Sequence, residues 1–265
     1  MKRRSFVKAS LMTGTAAIIS PVMSKGIVKE HQYESAEFYE LRVYTLKDDI
    51  QQKLVEDFYS QVAIPAFNKA GVEHVGVFTE LKPEGQTRLF VLIPYRSLVH
   101  FNEVIVKLEQ DKVFQQKGIP YLTAPATAPA YIRIESSIMK AFAHSPKLVV
   151  PPNKSRIFEL RQYQSASEAA GKKKIEMFND QGEIDIFKRL GFKPVFWGET
   201  IIGPSRPNLT YMVTFDDLDS KAVHWKSFVD DAQWKKISTV DGYSDALLVN
   251  KITSTLLLPT VYSQV

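Results

Sequence analysis

A strand-like segment occurs twice in this chain. Phe38-Tyr39-Glu40-Leu41-Arg42-Val43-Tyr44 returns 119 positions later as Ile157-Phe158-Glu159-Leu160-Arg161-Gln162-Tyr163, with Glu, Leu, Arg and Tyr in register. Side chains alternate sides along a strand, so Glu40, Arg42 and Tyr44 share one face and Tyr39, Leu41 and Val43 the other. The apolar side predicts Leu41 and Leu160 turned toward covering helices.

The segments downstream of the two copies are also similar. After the first strand (38–46), Asp48 and Asp49 are placed to cap a helix. Its apolar stripe is Ile50, Leu54, Phe58, Val62 and Phe67, with a kink expected at Pro65 and an end at Gly71. Val72–Glu80 and Arg88–Tyr95 read as a hairpin around Lys82-Pro83-Glu84-Gly85. A helix follows Ser97, and Asp111 caps a short continuation. A Pro- and Ala-rich loop (118–129) then leads to a strand near Ala130–Ser136. The second copy reads as strand 156–164, one helix from Ser167 to Leu190, strands 192–200 and 209–215, a helix after Asp217 and a last strand over Leu247–Leu258. At an offset of 120, Phe58, Ile64, Phe67, Gly71, Val75, Leu89, Leu98 and Asp111 match Phe178, Ile184, Phe187, Gly191, Val195, Leu209, Leu218 and Asp231. Shared core spacing explains the apolar matches but accounts less well for Glu-x-Arg-x-Tyr, which favours duplication. The order strand-helix-strand-strand-helix-strand is the ferredoxin-like βαββαβ unit. Such a sheet has helices on one face, and two copies can cover each other's open face. The fold expected is therefore α+β: two tandem ferredoxin-like modules, 38–136 and 156–258, joined by a Pro-rich linker (137–155). They would pack face to face as a pseudo-symmetric dimeric α+β barrel.

Residues 1–24 carry Lys2, Arg3, Arg4 and Lys8 and no acid, followed by a short apolar run, Ala9 to Val22. This layout, with paired arginines before Ser-Phe-Val-Lys, is similar to a bacterial twin-arginine export signal, with cleavage near Val22-Met23-Ser24. The alternative is a basic arm or an uncleaved anchor. Export places the body in the periplasm, and the apolar run is too short for a stable span. Without the leader the formal charge falls from +5 by four to +1, which leaves no basic footprint for nucleic acid. The chain has no cysteine, which excludes thiolate metal sites, thiol nucleophiles and disulfides.

The repeated Glu-Leu-Arg-x-Tyr segment, Gly203-Pro204 after a strand, and the run Trp225-x-x-Phe228-x-x-Asp231-x-x-Trp234 resemble the NIPSNAP family over residues 38–258. The second module fits better. In the first, Phe114 stands in place of Trp234 and Lys82-Pro83-Glu84-Gly85 replaces the Gly-Pro turn. The resemblance implies a ferredoxin-like, dimeric α+β barrel and no settled reaction.

The candidate site residues are Glu40, Arg42, Tyr44, Glu159, Arg161, Tyr163 and His74. If their strand face lines a barrel cavity, the arginines hold an organic anion, the tyrosines donate and a glutamate or His74 moves a proton. That is the reading of a small-molecule-binding barrel, with cofactor-free enzymatic activity as its extension. If not, the Glu–Arg pairs join the modules of a non-catalytic interaction protein. Related barrels bind haem, so haem on His74, His100 or His224 is a third reading, although no two histidines have metal-ligand spacing. No metal and no cofactor are otherwise expected, and a homo-oligomer stays open. Trp197, Trp225, Trp234 and Phe196 are candidates for an aromatic pocket wall, while Trp225, Phe228 and Trp234, at helical spacing, read as core anchors first. Asp216, Asp217 and Asp219 read as helix capping, and Lys172–Lys174 as a solvated helix face.

Overall fold

Both copies of the repeated strand lie in one closed barrel in the computed structural model, which describes residues 35–265. The proposed export leader lies outside the described residues. The first half contains β1 (Phe38–Leu46), α1 (Asp49–Phe58), a π-helical turn (Tyr59–Ala63), α2 (Ile64–Ala70), β2 (Gly76–Glu80) and β3 (Thr87–Tyr95). It continues through α3 (Leu98–Gln110), α4 (Lys112–Lys117), α5 (Ile119–Leu122) and β4 (Arg133–Ala141). The second contains β5 (Ile157–Ser165), α6 (Glu168–Asn179), α7 (Glu183–Arg189), β6 (Lys193–Ile202) and β7 (Asn208–Phe215). It ends with α8 (Leu218–Asp230), α9 (Ala232–Ser238), α10 (Asp245–Leu248) and β8 (Val249–Pro259).

The strands run around the barrel as β1-β3-β2-β8-β5-β7-β6-β4, and every neighbouring pair is antiparallel. The halves meet edge to edge through β2–β8 and β4–β6, so no strand edge is left open. The two sheets thereby enclose a common interior. Tyr39, Leu41, Phe78, Phe90 and Met139 of the first half pack there against Phe158, Leu160, Phe196, Met212 and Leu257 of the second.

This corrects the expected orientation of the repeated strand. Leu41 and Leu160 point into the barrel interior, and the polar face turns toward the helices. Strand alternation separates two faces but does not say which meets helices, and here each face has an apolar core of its own.

Helix starts follow the sequence closely. Asp48, Ser97, Asp111, Ser167, Asp217 and Asp231 all accept backbone N–H bonds at helix N-termini. Other details differ. The kink expected at Pro65 is spread over the preceding π turn, where the Ile64 N–H reaches back to the Tyr59 carbonyl. The wider turn accommodates the proline's missing donor one residue later. The helix expected over 167–190 breaks between Asn179 and Glu183, where Gly182 has a φ of 85°. The first-half loop holds α5, and β4 runs on to Ala141, into the stretch read as linker.

Duplication extends to contacts. Lys69 pairs with Asp111 at 2.7 Å, and Arg189 with Asp231 at 2.9 Å. His100 lies against Gly71 and His224 against Gly191, both glycines having positive φ. Phe158 is fully buried in the shared interior, with its ring centre 4.9 Å from that of Phe78. Phe158→Ala is expected to cost about 3–5 kcal/mol of stability, measured by urea unfolding.

Candidate functional site

The polar faces of β1 and β5 form two related clusters between sheet and helices. In the first half, Arg42 grips Glu40 with Nε at 2.7 Å and Nη2 at 2.9 Å. Ser136 of β4 and Tyr95 of β3 each donate to the same carboxylate at 3.1 Å. Arg42 Nη1 reaches the Tyr59 hydroxyl at 3.4 Å. A chain of phenols continues from there: Tyr59 to Tyr44 at 2.8 Å and Tyr44 to Tyr121 at 2.7 Å. Burial raises the Tyr44 and Tyr121 hydroxyls above the usual phenol range, so these are neutral donors and acceptors.

The second half keeps the plan and changes the partners. Arg161 gives Glu159 a single contact, from Nη1 at 3.0 Å, and Nη2 donates to the Tyr163 hydroxyl at 3.1 Å. Its buried Nε has no hydrogen-bond partner among the described residues. Ser254 of β8 donates to Glu159 at 2.7 Å, as Ser136 does to Glu40. Helix α8 supplies the rest. Trp225 Nε1 donates to Glu159 at 2.7 Å, Lys221 Nζ lies 3.6 Å from it, and the Arg161 guanidinium sits 4.4 Å from the Trp225 ring centre. The side chains of Arg161 and Lys221 are 18% and 24% exposed, so this cluster reaches solvent through its cations.

Behind Tyr163 lies a charged group that the sequence patterns above do not reveal. Lys174 is buried, with Nζ 3.1 Å from Asp245 and 3.6 Å from Glu183. The tyrosine, Phe178 and Trp234 rings surround it at 5.3–5.5 Å. The solvated face expected for Lys172–Lys174 is thus corrected for Lys174, because the helix turns it inward under α10. A signal existed at the 120-residue offset, where Leu54 of the apolar stripe corresponds to Lys174 and Ala63 to Glu183. Burial pushes the Glu183 carboxyl up to about 7, with Asp245 adding to the rise and Lys174 opposing it. Burial alone would lower the Lys174 ammonium, but Glu183 and Asp245 more than offset it and hold it raised.

Of the named candidates, Glu40, Arg42 and Tyr44 come together, as do Glu159, Arg161 and Tyr163. His74 joins neither cluster. It sits half-exposed before β2, with a φ of 61° and Glu73 4.0 Å away. His100 and His224 are engaged with backbone: the Arg96 N–H donates to His100 Nδ1 at 3.2 Å, and His224 Nδ1 donates to the Ser220 carbonyl at 2.6 Å. The aromatic residues divide between cores. Phe196 faces the barrel interior, while Trp197 stacks on Tyr211 at 4.3 Å on the helix side. Trp225 and Trp234 pack around Phe228 as anchors, and Trp225 also serves Glu159.

Solved structures share this architecture. A candidate monooxygenase from Fusobacterium nucleatum is 12% identical, with a TM-score of 0.57, over 85% of this chain and 93% of that one. One from Lactobacillus acidophilus is 8% identical, with a TM-score of 0.58, over 86% and 97%. An anthrone oxidase-like protein is 13% identical, with a TM-score of 0.52, over 86% and 93%. At these identities the likeness is one of fold. No curated protein matches the chain. The sequence profile described as NIPSNAP matches twice, over 39–146 and 158–264, each match containing one copy of the Glu–Arg cluster. The chain therefore belongs to the NIPSNAP family, as a tandem member with two family domains.

Proposed function

We propose that this protein binds a small organic acid on the helix-facing side of β5, in its second half. The observation that carries this reading is the unequal use of the two repeated arginines. Arg42 is committed to Glu40 through two nitrogens, whereas Arg161 holds Glu159 through one and keeps a buried Nε without a partner among the described residues. Lys221 brings a second cation to the same carboxylate. Two cations around one carboxylate favour a further anion, and a guanidinium fork suits a carboxylate or an enolate. The Trp225 ring beside Arg161 supplies a wall for an aromatic body. Glu183 adds a carboxyl poised near neutrality, as proton exchange with a bound acid requires. Proton transfer without a cofactor is the reaction class that fits these residues. The fold shared with candidate monooxygenases and an anthrone oxidase-like protein is compatible with such chemistry and does not specify it.

Each half has the strand order of a ferredoxin-like unit, β4-β1-β3-β2 and β8-β5-β7-β6, which supports two such modules, the first running beyond residue 136 to the end of β4 at Ala141. The leader supports twin-arginine export to the periplasm.

Benzoate is a direct probe of the binding reading. It is expected to raise the melting temperature of the wild type and of Arg42→Ala. Arg161→Ala or Lys221→Ala should weaken its binding by about tenfold, the order of one charge-assisted hydrogen bond. Lys221→Ala is the safer variant, since its side chain reaches solvent. No response to benzoate or other aromatic and aliphatic acids favours the non-catalytic interaction protein instead.

Glu183 also makes stability depend on pH. Its carboxyl binds a proton more tightly folded than unfolded, so its contribution is fully present below the ordinary value of 4.5. That contribution is lost as pH rises through about 7. Urea unfolding at about pH 5 and about pH 8 should show this loss in the wild type and its removal in Glu183→Gln. Export is checked by fractionating cells that make the full chain: replacing Arg3 and Arg4 with lysine should abolish the periplasmic pool, and an unchanged pool contradicts twin-arginine export.

A further inference from the structure

The two halves close the same edge of their clusters by different means. α5 packs on α1 in the first half and α10 on α6 in the second. In the first half the closing group is a ring. Tyr121 stacks on Phe58 with ring centres 3.8 Å apart, and its hydroxyl meets that of Tyr44 at 2.7 Å. In the second, residues 239–248 form a strap that Leu248 anchors in the apolar core at its C-terminal end and that polar contacts hold against α6. The Tyr243 hydroxyl donates to Glu176, its ring lies 4.5 Å from Lys173 Nζ, and Asp245 meets Lys174 at 3.1 Å.

Asp245 differs from the other acids of the cluster in where it comes from. Glu159 and Glu183 are buried, but Asp245 reaches in from the solvent side with 45% of its side chain exposed. It opens a helix of only four residues, whose N-cap Ser244 makes no side-chain capping bond. With Glu183 ionised, the charges are balanced only when Asp245 is in place. Arg161, Lys174 and Lys221 face Glu159, Glu183 and Asp245. Moving Asp245 away leaves one positive charge, which one carboxylate restores. The walls around Lys174 Nζ are the Tyr163, Phe178 and Trp234 rings, which suit an aromatic or apolar body behind that carboxylate.

We propose that Asp245 is a tethered carboxylate occupying the anion subsite at Lys174, and that an aromatic monocarboxylic acid takes its place when residues 239–248 swing off α6. This rests on the reading that the second half binds organic acids, and adds the ligand's class and the device that gates it. A closed strap lowers apparent affinity by the fraction of molecules that are open, so loosening it should tighten binding.

The test is a benzoate titration of the wild type, Asp245→Asn, Tyr243→Phe, Lys174→Met and Arg161→Ala, followed calorimetrically, with hydrogen exchange of residues 239–248. Asp245→Asn and Tyr243→Phe are each expected to lower the Kd by about tenfold. Tyr243→Phe does so without altering any charge at Lys174. Lys174→Met should abolish the gain when combined with Asp245→Asn, and benzoate should speed exchange of the strap in the wild type. Binding that needs Arg161 but is indifferent to Asp245→Asn and Tyr243→Phe overturns the tethered carboxylate and leaves the organic-acid reading standing. Absence of binding in every variant, Asp245→Asn included, overturns both.

Discussion

A carboxylate buried between a sheet and its helices has to find donors on every side, and Glu159 draws them from three elements. Arg161 comes from its own strand, Ser254 from β8, and Trp225 and Lys221 from α8. Removing one partner from such a group costs several kcal/mol, of the order of 3–5. The donors therefore constrain the fold around them. Ser254 lies directly opposite Arg161 across the β5–β8 ladder, and Ser136 directly opposite Arg42 across β1–β4. A slip of one residue in either ladder would turn the serine into the barrel interior and orphan the carboxylate. The repeated Glu-Leu-Arg segment thus sets strand register in both halves while its leucine fills the common core.

With that frame held constant, the two copies have diverged where helices meet the polar face. The first half is closed by neutral groups: Tyr95 on Glu40, and the phenols of Tyr59, Tyr44 and Tyr121 in a chain. The second replaces that chain with charge. Lys174, Glu183 and Asp245 stand behind Tyr163, and Lys221 stands in front. Neutral phenol contacts cost little to keep buried. Buried charges cost much and are weak stabilisers, and behind the repeated tyrosine only the second half carries them, as Lys174 and Glu183.

Much of the fold was legible in the sequence. Hydrophobic periodicity and the capping residues Asp48, Ser97, Asp111, Ser167, Asp217 and Asp231 locate the helices, and the repeat relates the halves. The direction of the polar strand face was not, because a closed barrel wrapped by helices has two cores and alternation is silent about which is which. Leu41 illustrates this: it is apolar and buried, yet on the side away from the helices. Lys174 was hidden for another reason. A lysine within Lys172-Lys173-Lys174 looks solvated until it is set against Leu54, its counterpart in the first copy's apolar stripe. Asp245 and Lys221 carry no local signal, since their roles arise from packing between elements distant in sequence.

The three tryptophans report on where a ligand sits, because each occupies a different place around the second cluster. Trp225 touches Arg161 and Glu159, Trp234 faces Lys174, and Trp197 lies deeper, against Tyr211. Nitrogen–proton correlation spectra recorded during a benzoate titration resolve their indole signals. Saturable shifts of Trp225 and Trp234, larger than that of Trp197 and accompanied by amides of β5, α8 and α10, are the predicted result. Shifts confined to barrel-interior residues such as Leu41 and Leu160, or to the first half around Arg42, would contradict the account.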